Sequence, residues 1–165
     1  EVIARCPWAT TGRTHHRTPN IITSLELDPA EMEKRNIHLQ KKYAEIEENE
    51  VRFEELHCED AEYLIVAFGS CARIAQKAME MAREEGIKVG LLRPITLWPF
   101  PSKAIAARAA QVKGILTVEL NAGQMVEDVR LAAECTVPVE HFGRLGGIVP
   151  DPDEVITALK EKLIK

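Results

Sequence analysis

The sequence predicts a doubly wound α/β domain, in which helices cover both faces of a parallel sheet. The run 63–68, Tyr-Leu-Ile-Val-Ala-Phe, is apolar throughout and rich in strand-forming residues. A run without a polar side is typical of a central parallel strand that is buried on both faces. Gly69-Ser70 ends this run, a helical pattern begins at once, and the same unit recurs along the chain. Strands that alternate with helices across short connections favour this architecture.

Composition excludes several classes of protein. With 165 residues, 45% hydrophobic and 28% charged, the chain has the make-up of a soluble globular protein. A net charge of −5 without a basic stripe argues against nucleic acid or an anionic membrane surface as partner. No apolar run reaches the roughly 20 residues of a membrane span, and no signal peptide is present, so we expect a cytoplasmic protein.

The cysteines and the first residue allow two further predictions, on the state of the thiols and on the extent of the chain. The four cysteines lie far apart without a CxxC pattern, which predicts reduced thiols and no zinc or iron–sulfur site. They are Cys6, Cys58, Cys71 and Cys135. Because the chain begins with Glu1 and not with Met, we expect it to be a piece of a longer protein.

Residues 1–27 are predicted to form an extended arm or linker that continues from an upstream domain. Prolines, glycine and polar residues interrupt this stretch, and it shows no core-forming pattern. The segment 10–17 carries two adjacent histidines and two arginines. Three interpretations stay open for it: a metal site, phosphate or carboxylate contact by Arg13, His15 and Arg17, and a solvated loop.

Residues 28–50 are predicted to form a connecting helix. Asp28 is a suitable N-cap, Pro29 fits the first helical position, and Glu31 completes a capping box. Its apolar residues form one narrow stripe on an otherwise charged helix, consisting of Met32, Leu39, Tyr43 and Ile46. Such a helix packs against one surface only, which is typical of a connector.

The α/β domain is predicted to occupy residues 51–165. It opens with Val51–Leu56, where apolar and charged residues alternate as in a half-exposed edge strand. After the strand at 63–68, a helix is predicted from an N-cap at Ser70 to about Glu85, with Gly86 at the C′ position. The remaining predicted elements are strands 87–92, 115–120 and 137–142, helix 102–112, a helix after Gly123, and a helix capped by Asp151 with Glu154.

Polar residues follow the predicted strands at the edge where parallel sheets bind ligands. We expect an anion-binding or interface cluster there, formed by Ser70, Arg93, Glu119, Asn121 and Arg144. Helix N-termini at Ser70 and near Gly123 would offer free backbone N–H groups to an anion. Arg93 and Glu119 are expected to pair across neighbouring strands and to fix the loop Trp98–Phe100. Each residue also has a purely structural explanation as a cap, a turn residue or an ion-pair partner.

No catalytic motif accompanies this cluster. The sequence contains no GxGxxG after a strand, and no GxxxxGK[ST], GxSxG or HExxH. We therefore assign no catalytic residue, no cofactor-binding residue and no metal ligand.

Several segments together resemble the 2-oxoacid:ferredoxin oxidoreductases, in the C-terminal, transketolase-C-terminal-like domain of the alpha-type subunit. They are 62–70, 89–101 with the sequence Val-Gly-Leu-Leu-Arg-Pro-Ile-Thr-Leu-Trp-Pro-Phe-Pro, Val118-Glu119 with Gly123-Gln124-Met125, and 142–147. The opening residues 7–12 with 20–22 and Ser24-Leu25 are most similar to the 2-ketoisovalerate members.

This resemblance implies a three-layer, mostly parallel five-strand sheet with one antiparallel edge strand, for which residues 51–56 are the candidate. It also implies a parent enzyme that oxidatively decarboxylates a 2-oxo acid to an acyl-CoA and reduces ferredoxin. That enzyme would use thiamine diphosphate, Mg²⁺, iron–sulfur clusters and coenzyme A. None of the motifs for these groups matches a position here, so no catalytic residue is carried over. The chain is expected to be an assembly domain that contacts an upstream thiamine-binding domain and other subunits of a homo-oligomer.

Two other functions stay open. The first is the corresponding domain of an oxoacid dehydrogenase E1 component or of a transketolase. Those proteins share the fold but enter the domain through a shorter segment, so the arm at 1–27 argues against them. The second is a free-standing anion-binding module that uses Ser70 and Arg144.

Overall fold

The structure is a computed structural model that describes Gly12 and residues 25–164. The chain divides into two compact units, Glu1–Lys41 and Lys42–Lys165. The predicted arm at 1–27, including its histidine–arginine segment, lies almost entirely outside the described residues, so the interpretations of that segment stay predictions. The domain boundary at residue 51 also stays a prediction.

The connecting helix α1 spans Pro29–Asn49, close to the predicted range. Oδ1 of Asp28 accepts hydrogen bonds from the backbone N–H groups of Ala30, at 2.8 Å, and Glu31, at 3.4 Å. The Glu31 carboxylate, predicted to complete a capping box, pairs with Nζ of Lys34 at 2.6 Å. No residue of α1 is buried, and the half-buried positions include three of the predicted stripe: Met32, Leu39 and Ile46.

The sheet has five strands in the order β1-β3-β2-β4-β5. They are β1 Phe53–Leu56, β2 Tyr63–Ala67, β3 Val89–Pro94, β4 Ile115–Glu119 and β5 Val139–Gly143. β1 is antiparallel to β3, and every other neighbouring pair is parallel. The predicted mostly parallel sheet with an antiparallel edge strand is therefore confirmed.

Helices cover both faces of the sheet. They are α2 Gly69–Glu84, α3 Ser102–Ala109, α4 Met125–Ala133 and α5 Pro152–Leu159, which continues as a π-helical turn, Lys160–Ile164. Successive residues of a strand point to opposite faces, so each central strand supplies two cores. Ile65, Leu91 and Leu116 pack with α2 and α5, whereas Leu64, Leu92 and Ile115 pack with α3 and α4. This is the predicted three-layer arrangement.

The N-terminus of α2 differs from the prediction. Ser70 is not the N-cap, because α2 already begins at Gly69 and Phe68 occupies the cap position without a side-chain cap bond. The first helical bond joins the Ala72 N–H to the Phe68 oxygen at 3.2 Å. Gly69 has a φ of +57°, a left-handed conformation that glycine adopts without steric cost. The chain therefore turns from β2 into the helix one residue earlier than predicted.

The C-terminus of α2 agrees with the prediction and explains a shifted strand. Gly86 has a φ of +85°, and its N–H donates to the Arg83 oxygen at 3.0 Å. The Ile87 N–H donates to the Ala82 oxygen at 3.0 Å, which completes a Schellman motif. Because Ile87 belongs to this helix end, β3 begins at Val89 and not at the predicted Ile87.

No helix in the described part of the chain is long and apolar enough to cross a membrane.

Candidate functional site

The carboxyl ends of the parallel strands form one edge of the sheet, which we call the carboxyl edge. It comprises the residues that follow the strands, 68–70, 95–101, 120–124 and 144–149. β2 connects to β3 on one side, and the chain then returns to β4 on the other side of β2. Such a reversal of strand order opens the crevice in which α/β sheets commonly bind ligands. The carboxyl edge is therefore the place to look for a site.

Glu119, the last residue of β4, is 1% exposed. Its Oε2 accepts from the backbone N–H groups of Gln124 at 3.2 Å and Met125 at 2.9 Å, and its Oε1 accepts from that of Val126 at 3.1 Å. These groups open α4, whose own N-cap residue, Gln124, makes no side-chain cap bond. Burying a carboxylate is costly unless donors satisfy it, and a helix N-terminus supplies both donors and positive potential. Glu119 thus caps α4 from the end of a strand.

This contact overturns one prediction. The backbone N–H groups near Gly123 were expected to be free for an external anion, but the Glu119 carboxylate occupies them. Asn121 shapes the same connection, because its Oδ1 accepts from the Gly123 N–H at 2.7 Å. An Asx turn of this kind replaces backbone pairing within a tight loop. Glu119 and Asn121 therefore fix residues 120–124 from inside the protein.

His141 in β5 completes this group, and sequence reasoning missed it. Its Nδ1 lies 3.4 Å from Oε1 of Glu119 and 3.3 Å from Oγ1 of Thr117. Its Nε2 lies 3.3 Å from the backbone oxygen of Asn121. A carbonyl oxygen only accepts, so Nε2 is the nitrogen that donates in this contact. The imidazole, 21% exposed, thus joins β4, β5 and the 120–124 connection.

The sequence did contain a signal for His141. Thr117 and Glu119 are polar residues two positions apart in an otherwise apolar strand, so both point to the same face. Buried polar groups need partners, and the adjacent strand is the nearest source. The register places His141 directly beside Thr117. Finding it required knowing that β5 lies next to β4.

Gly143, at the end of β5, allows this group to pack closely. A Cβ atom at this position would lie 2.2 Å from the backbone oxygen of Asn121 and 2.6 Å from Nε2 of His141. Such separations are far below van der Waals contact, so only glycine fits without moving the connection.

The predicted pair of Arg93 and Glu119 does not exist. β3 and β4 are not neighbours, because β2 lies between them. Nη1 of Arg93 instead donates to Oε2 of Glu54 at 2.9 Å, its partner in the antiparallel register. This pair is open to solvent, with the Arg93 side chain 43% and the Glu54 side chain 51% exposed.

The two other predicted residues lie at different points of the carboxyl edge. Ser70 is exposed in the first turn of α2. Nη1 of Arg144 donates to Oε1 of Glu154 at 2.7 Å, and its backbone N–H donates to the Glu119 oxygen at 3.3 Å. The structure thus brings together Glu119, Asn121 and the Arg144 backbone, and it separates Arg93 from them.

The side chains of this cluster position the surrounding backbone. The Glu119 carboxylate already accepts three backbone N–H groups, which leaves it little capacity to bind another donor. Burial raises the pKa of the nearby Cys71 thiol, and the negative charge of Glu119 raises it further, so this thiol stays protonated and unreactive at neutral pH. Within residues 25–164 no group of three or more His, Cys, Asp or Glu side chains is arranged to hold a metal ion.

The carboxyl edge also carries exposed apolar side chains at its β1–β3 end. We call Phe53, Ile95, Leu97 and Trp98 the apolar patch; Trp98 is 55% exposed. Phe53 lies opposite Pro94 in the register, next to the loop that carries the other three. The Tyr43 ring of α1 meets Trp98 edge-on, with ring centroids 5.7 Å apart. Leu120, Leu145, Ile148 and Val149 are exposed further along the same edge.

Residues 61–155, more than half of the chain, match the profile of the pyruvate:ferredoxin oxidoreductase core domain II. The chain belongs to this family. Membership in this domain family confirms the resemblance seen in the sequence.

Relatives of this core domain II are subunits of oxoacid oxidoreductases. The chain is 45% identical to the ketoisovalerate oxidoreductase subunit VorB of Methanothermobacter marburgensis and 47% identical to that of Methanothermobacter thermautotrophicus, over 93% of its length in both cases. It is 34% identical to the 2-oxoglutarate synthase subunit KorA of M. marburgensis, over 61% of its length and 27% of that subunit. The chain spans 43% of the VorB subunits, about two fifths of their length.

A solved structure has a similar fold. The 2-oxoglutarate:ferredoxin oxidoreductase from Magnetococcus marinus, solved with 2-oxoglutarate, coenzyme A and succinyl-CoA bound, superposes with a TM-score of 0.71 and 26% identity. The superposition covers 82% of this chain and 24% of that one.

Proposed function

We propose that the chain is the assembly domain of a 2-oxoacid:ferredoxin oxidoreductase subunit that acts on 2-ketoisovalerate. The choice of substrate is supported by a difference in sequence identity between two kinds of relative. Identity to the two ketoisovalerate subunits is 45% and 47% over 93% of the chain, whereas identity to the 2-oxoglutarate subunit is 34% over 61%. In this proposal residues 51–165 form the domain and residues 28–50 connect it to the polypeptide before it.

The complete enzyme would oxidatively decarboxylate the 2-oxo acid to an acyl-CoA and pass electrons to ferredoxin. Thiamine diphosphate with Mg²⁺ and iron–sulfur clusters would supply that chemistry, and coenzyme A would be a substrate. The described residues do not fit these groups. They offer no cluster of metal-binding side chains, and Glu119, the buried carboxylate of the carboxyl edge, already accepts three backbone N–H groups. The proposal therefore assigns binding and catalysis to other domains and treats this chain as non-catalytic.

The proposed partners are the upstream thiamine-binding domain, the other subunits of a homo-oligomeric complex, and ferredoxin through that complex. The relatives are named as subunits, which supports partners of this kind. We also propose a cytoplasmic location. Cys58, Cys71 and Cys135 are free thiols, which is the usual state in a reducing compartment.

A domain exchange tests this function on the chain itself. The region of the M. marburgensis VorB subunit that matches this chain is replaced by the chain, and the chimera is expressed with the other subunits. We expect the complex to assemble and to couple 2-ketoisovalerate decarboxylation to ferredoxin reduction, because the domains share 45% identity. Size-exclusion chromatography with light scattering reports assembly, and a reduced-ferredoxin assay reports turnover.

A chimera that carries Gly143→Ala tests whether assembly depends on the carboxyl edge, because this change disturbs that edge without altering the overall sequence likeness. A folded chimera that fails to join the other subunits would contradict the assembly role. An assembled chimera that prefers 2-oxoglutarate would contradict only the assignment of the enzyme as a ketoisovalerate oxidoreductase.

A further inference from the structure

The loop that carries most of the apolar patch is anchored to the domain by packing and by a hydrogen bond. Pro99 is buried, and Phe100 packs against the core under α3 and α4. Oγ1 of Thr96 donates to the Pro99 oxygen at 2.8 Å, which closes the loop on itself. Ile95, Leu97 and Trp98 are therefore presented outward by a fixed backbone. Preorganised apolar side chains are costly to expose and bind with little loss of conformational freedom, which is typical of a docking surface.

The chain enters the domain beside this patch. α1 ends at Asn49, and β1 begins at the carboxyl edge, where Phe53 lies opposite Pro94. Between them, the Arg52 N–H donates to Oγ1 of Thr96 at 3.0 Å. The Arg52 oxygen accepts from the backbone N–H groups of Ile95 and Thr96, at 2.9 and 3.1 Å. The segment that links the domain to the preceding polypeptide is thus hydrogen-bonded to the loop of the patch.

Tyr43 extends this contact into the last turns of α1. Its ring meets Trp98 at 86° with centroids 5.7 Å apart, an edge-to-face geometry that is favourable for aromatic pairs. Both rings remain partly exposed, Tyr43 at 39% and Trp98 at 55%. The aromatic pair joins connector and domain, and it leaves apolar surface for a further partner.

Two arginines beside the patch are paired with carboxylates. Arg93 pairs with Glu54 at 2.9 Å, and Arg52 pairs with Glu50 at 3.2 Å. A partner that associates transiently is commonly steered by unpaired charge of one sign, which these pairs do not provide. The pairing of these two arginines favours a partner that is held nearby permanently and buries apolar surface.

We propose that the apolar patch docks onto the polypeptide that precedes this domain in the same subunit. The proposal rests on the proposed function, in which the chain is one domain of a longer subunit. In the VorB relatives the matching region is 43% of the subunit, so more than half of the polypeptide lies outside it. A covalent connection raises the effective concentration of two linked partners, to about millimolar when the linker is short and flexible, so a small patch suffices. A second copy of the chain would lack this advantage.

Photocrosslinking in the assembled enzyme tests the docking partner. Trp98 is replaced by p-benzoylphenylalanine in the full-length subunit, the complex is purified and irradiated, and crosslinked peptides are identified by mass spectrometry. Leu131 receives the same replacement as a control, because it is 77% exposed on α4 and is not one of the patch residues. Mixing ¹⁴N- and ¹⁵N-labelled subunits distinguishes a crosslink within one subunit from one between two copies.

We expect position 98 to crosslink to residues that precede α1 in the same subunit, beyond the Tyr43 contact that the structure already contains, and position 131 not to do so. A crosslink to a second copy, a crosslink to a different subunit, or no crosslink at position 98 would each overturn the proposal. Ferredoxin reduction is measured on the same preparations before irradiation. A preparation that crosslinks as expected but oxidises no 2-oxo acid would contradict the proposed function and leave the docking intact.

A substitution provides an independent readout. Leu97→Asp places a charge in the patch, and Leu131→Asp places one on α4. In the full-length subunit we expect Leu97→Asp to speed hydrogen exchange in the preceding polypeptide, whereas Leu131→Asp leaves it unchanged. Equal exchange in the two variants, with both folded by circular dichroism, would count against docking through the patch.

Discussion

Oε1 of Glu119 lies 3.4 Å from Nδ1 of His141, where β4 and β5 end side by side. The same carboxylate accepts three backbone N–H groups from the start of α4. One buried side chain therefore joins two strands and a helix. Removing this carboxylate would leave backbone N–H groups without a partner in the interior, which is costly.

Glu119→Gln is expected to destabilise the domain by about 1–3 kcal/mol, the usual cost of an unsatisfied buried polar group. The amide keeps the shape of the carboxylate, but its NH₂ group faces backbone donors that need an acceptor. Urea denaturation of the 165-residue chain, followed by far-ultraviolet circular dichroism, measures the change.

Glu127→Gln is the matched control, because Glu127 is exposed in the first turn of α4. It should change the unfolding free energy by less than about 0.5 kcal/mol. Equal midpoints for the two variants would show that Glu119 does not hold α4.

Gly143→Ala should destabilise the domain by about 1–3 kcal/mol, in the range of overpacked interiors. The new methyl group would lie 2.2 Å from the Asn121 oxygen, which belongs to the backbone and cannot rotate away. Gly114→Ala is the control, since its methyl group would meet only the flexible end of Leu163, at 2.8 Å. Thermal melting compares the two, and a larger effect at Gly114 would contradict the structure.

The fold was predictable because its signals are local. An apolar run such as 63–68 identifies a buried strand without reference to the rest of the chain, and Asp151 with Glu154 identifies a capping box within four residues. The candidate site was predicted only in part, because its contacts depend on which strands are neighbours. Arg93 was assigned to Glu119 although β2 separates their strands, and His141 was missed although it lies beside Thr117.

A double-mutant cycle separates the predicted pair from the observed one. Arg93→Ala and Glu54→Ala should couple by about 0–1 kcal/mol, because both side chains are open to solvent. Arg93→Ala and Glu119→Gln should couple by about zero, since they share no contact. The free energies of unfolding in urea give both values. A larger coupling with Glu119 than with Glu54 would require a different strand order.

Thiol reactivity should follow burial. Burial raises the pKa of Cys58 to about 11, and burial followed by the Glu119 charge raises that of Cys71. A raised thiol pKa means that little thiolate exists below it, so iodoacetamide should modify both residues slowly between pH 7 and pH 9. Of the three cysteines in the described part of the chain, Cys135 is exposed and should react first. Site-resolved mass spectrometry checks this order, and rapid labelling of Cys71 in the folded protein would contradict it.

The 165-residue chain alone should not bind thiamine diphosphate in the presence of Mg²⁺. Such binding needs metal-binding side chains, and the described residues bring no cluster of them together. Isothermal titration calorimetry measures the heat of mixing, with the complete enzyme as the positive control. Micromolar binding by the isolated chain would show that a cofactor site lies within it.

Because Glu119 of β4 provides its cap, α4 depends on another element of the domain for its helicity. α5 carries its own capping box, in which the Asp151 and Glu154 side chains each accept the other's backbone N–H. A peptide that covers α5 retains its capping box. A peptide that covers α4 alone lacks its cap, because the capping residue belongs to β4. α4 should therefore become helical only once β4 is in place, and its amide protons should exchange through global rather than local opening.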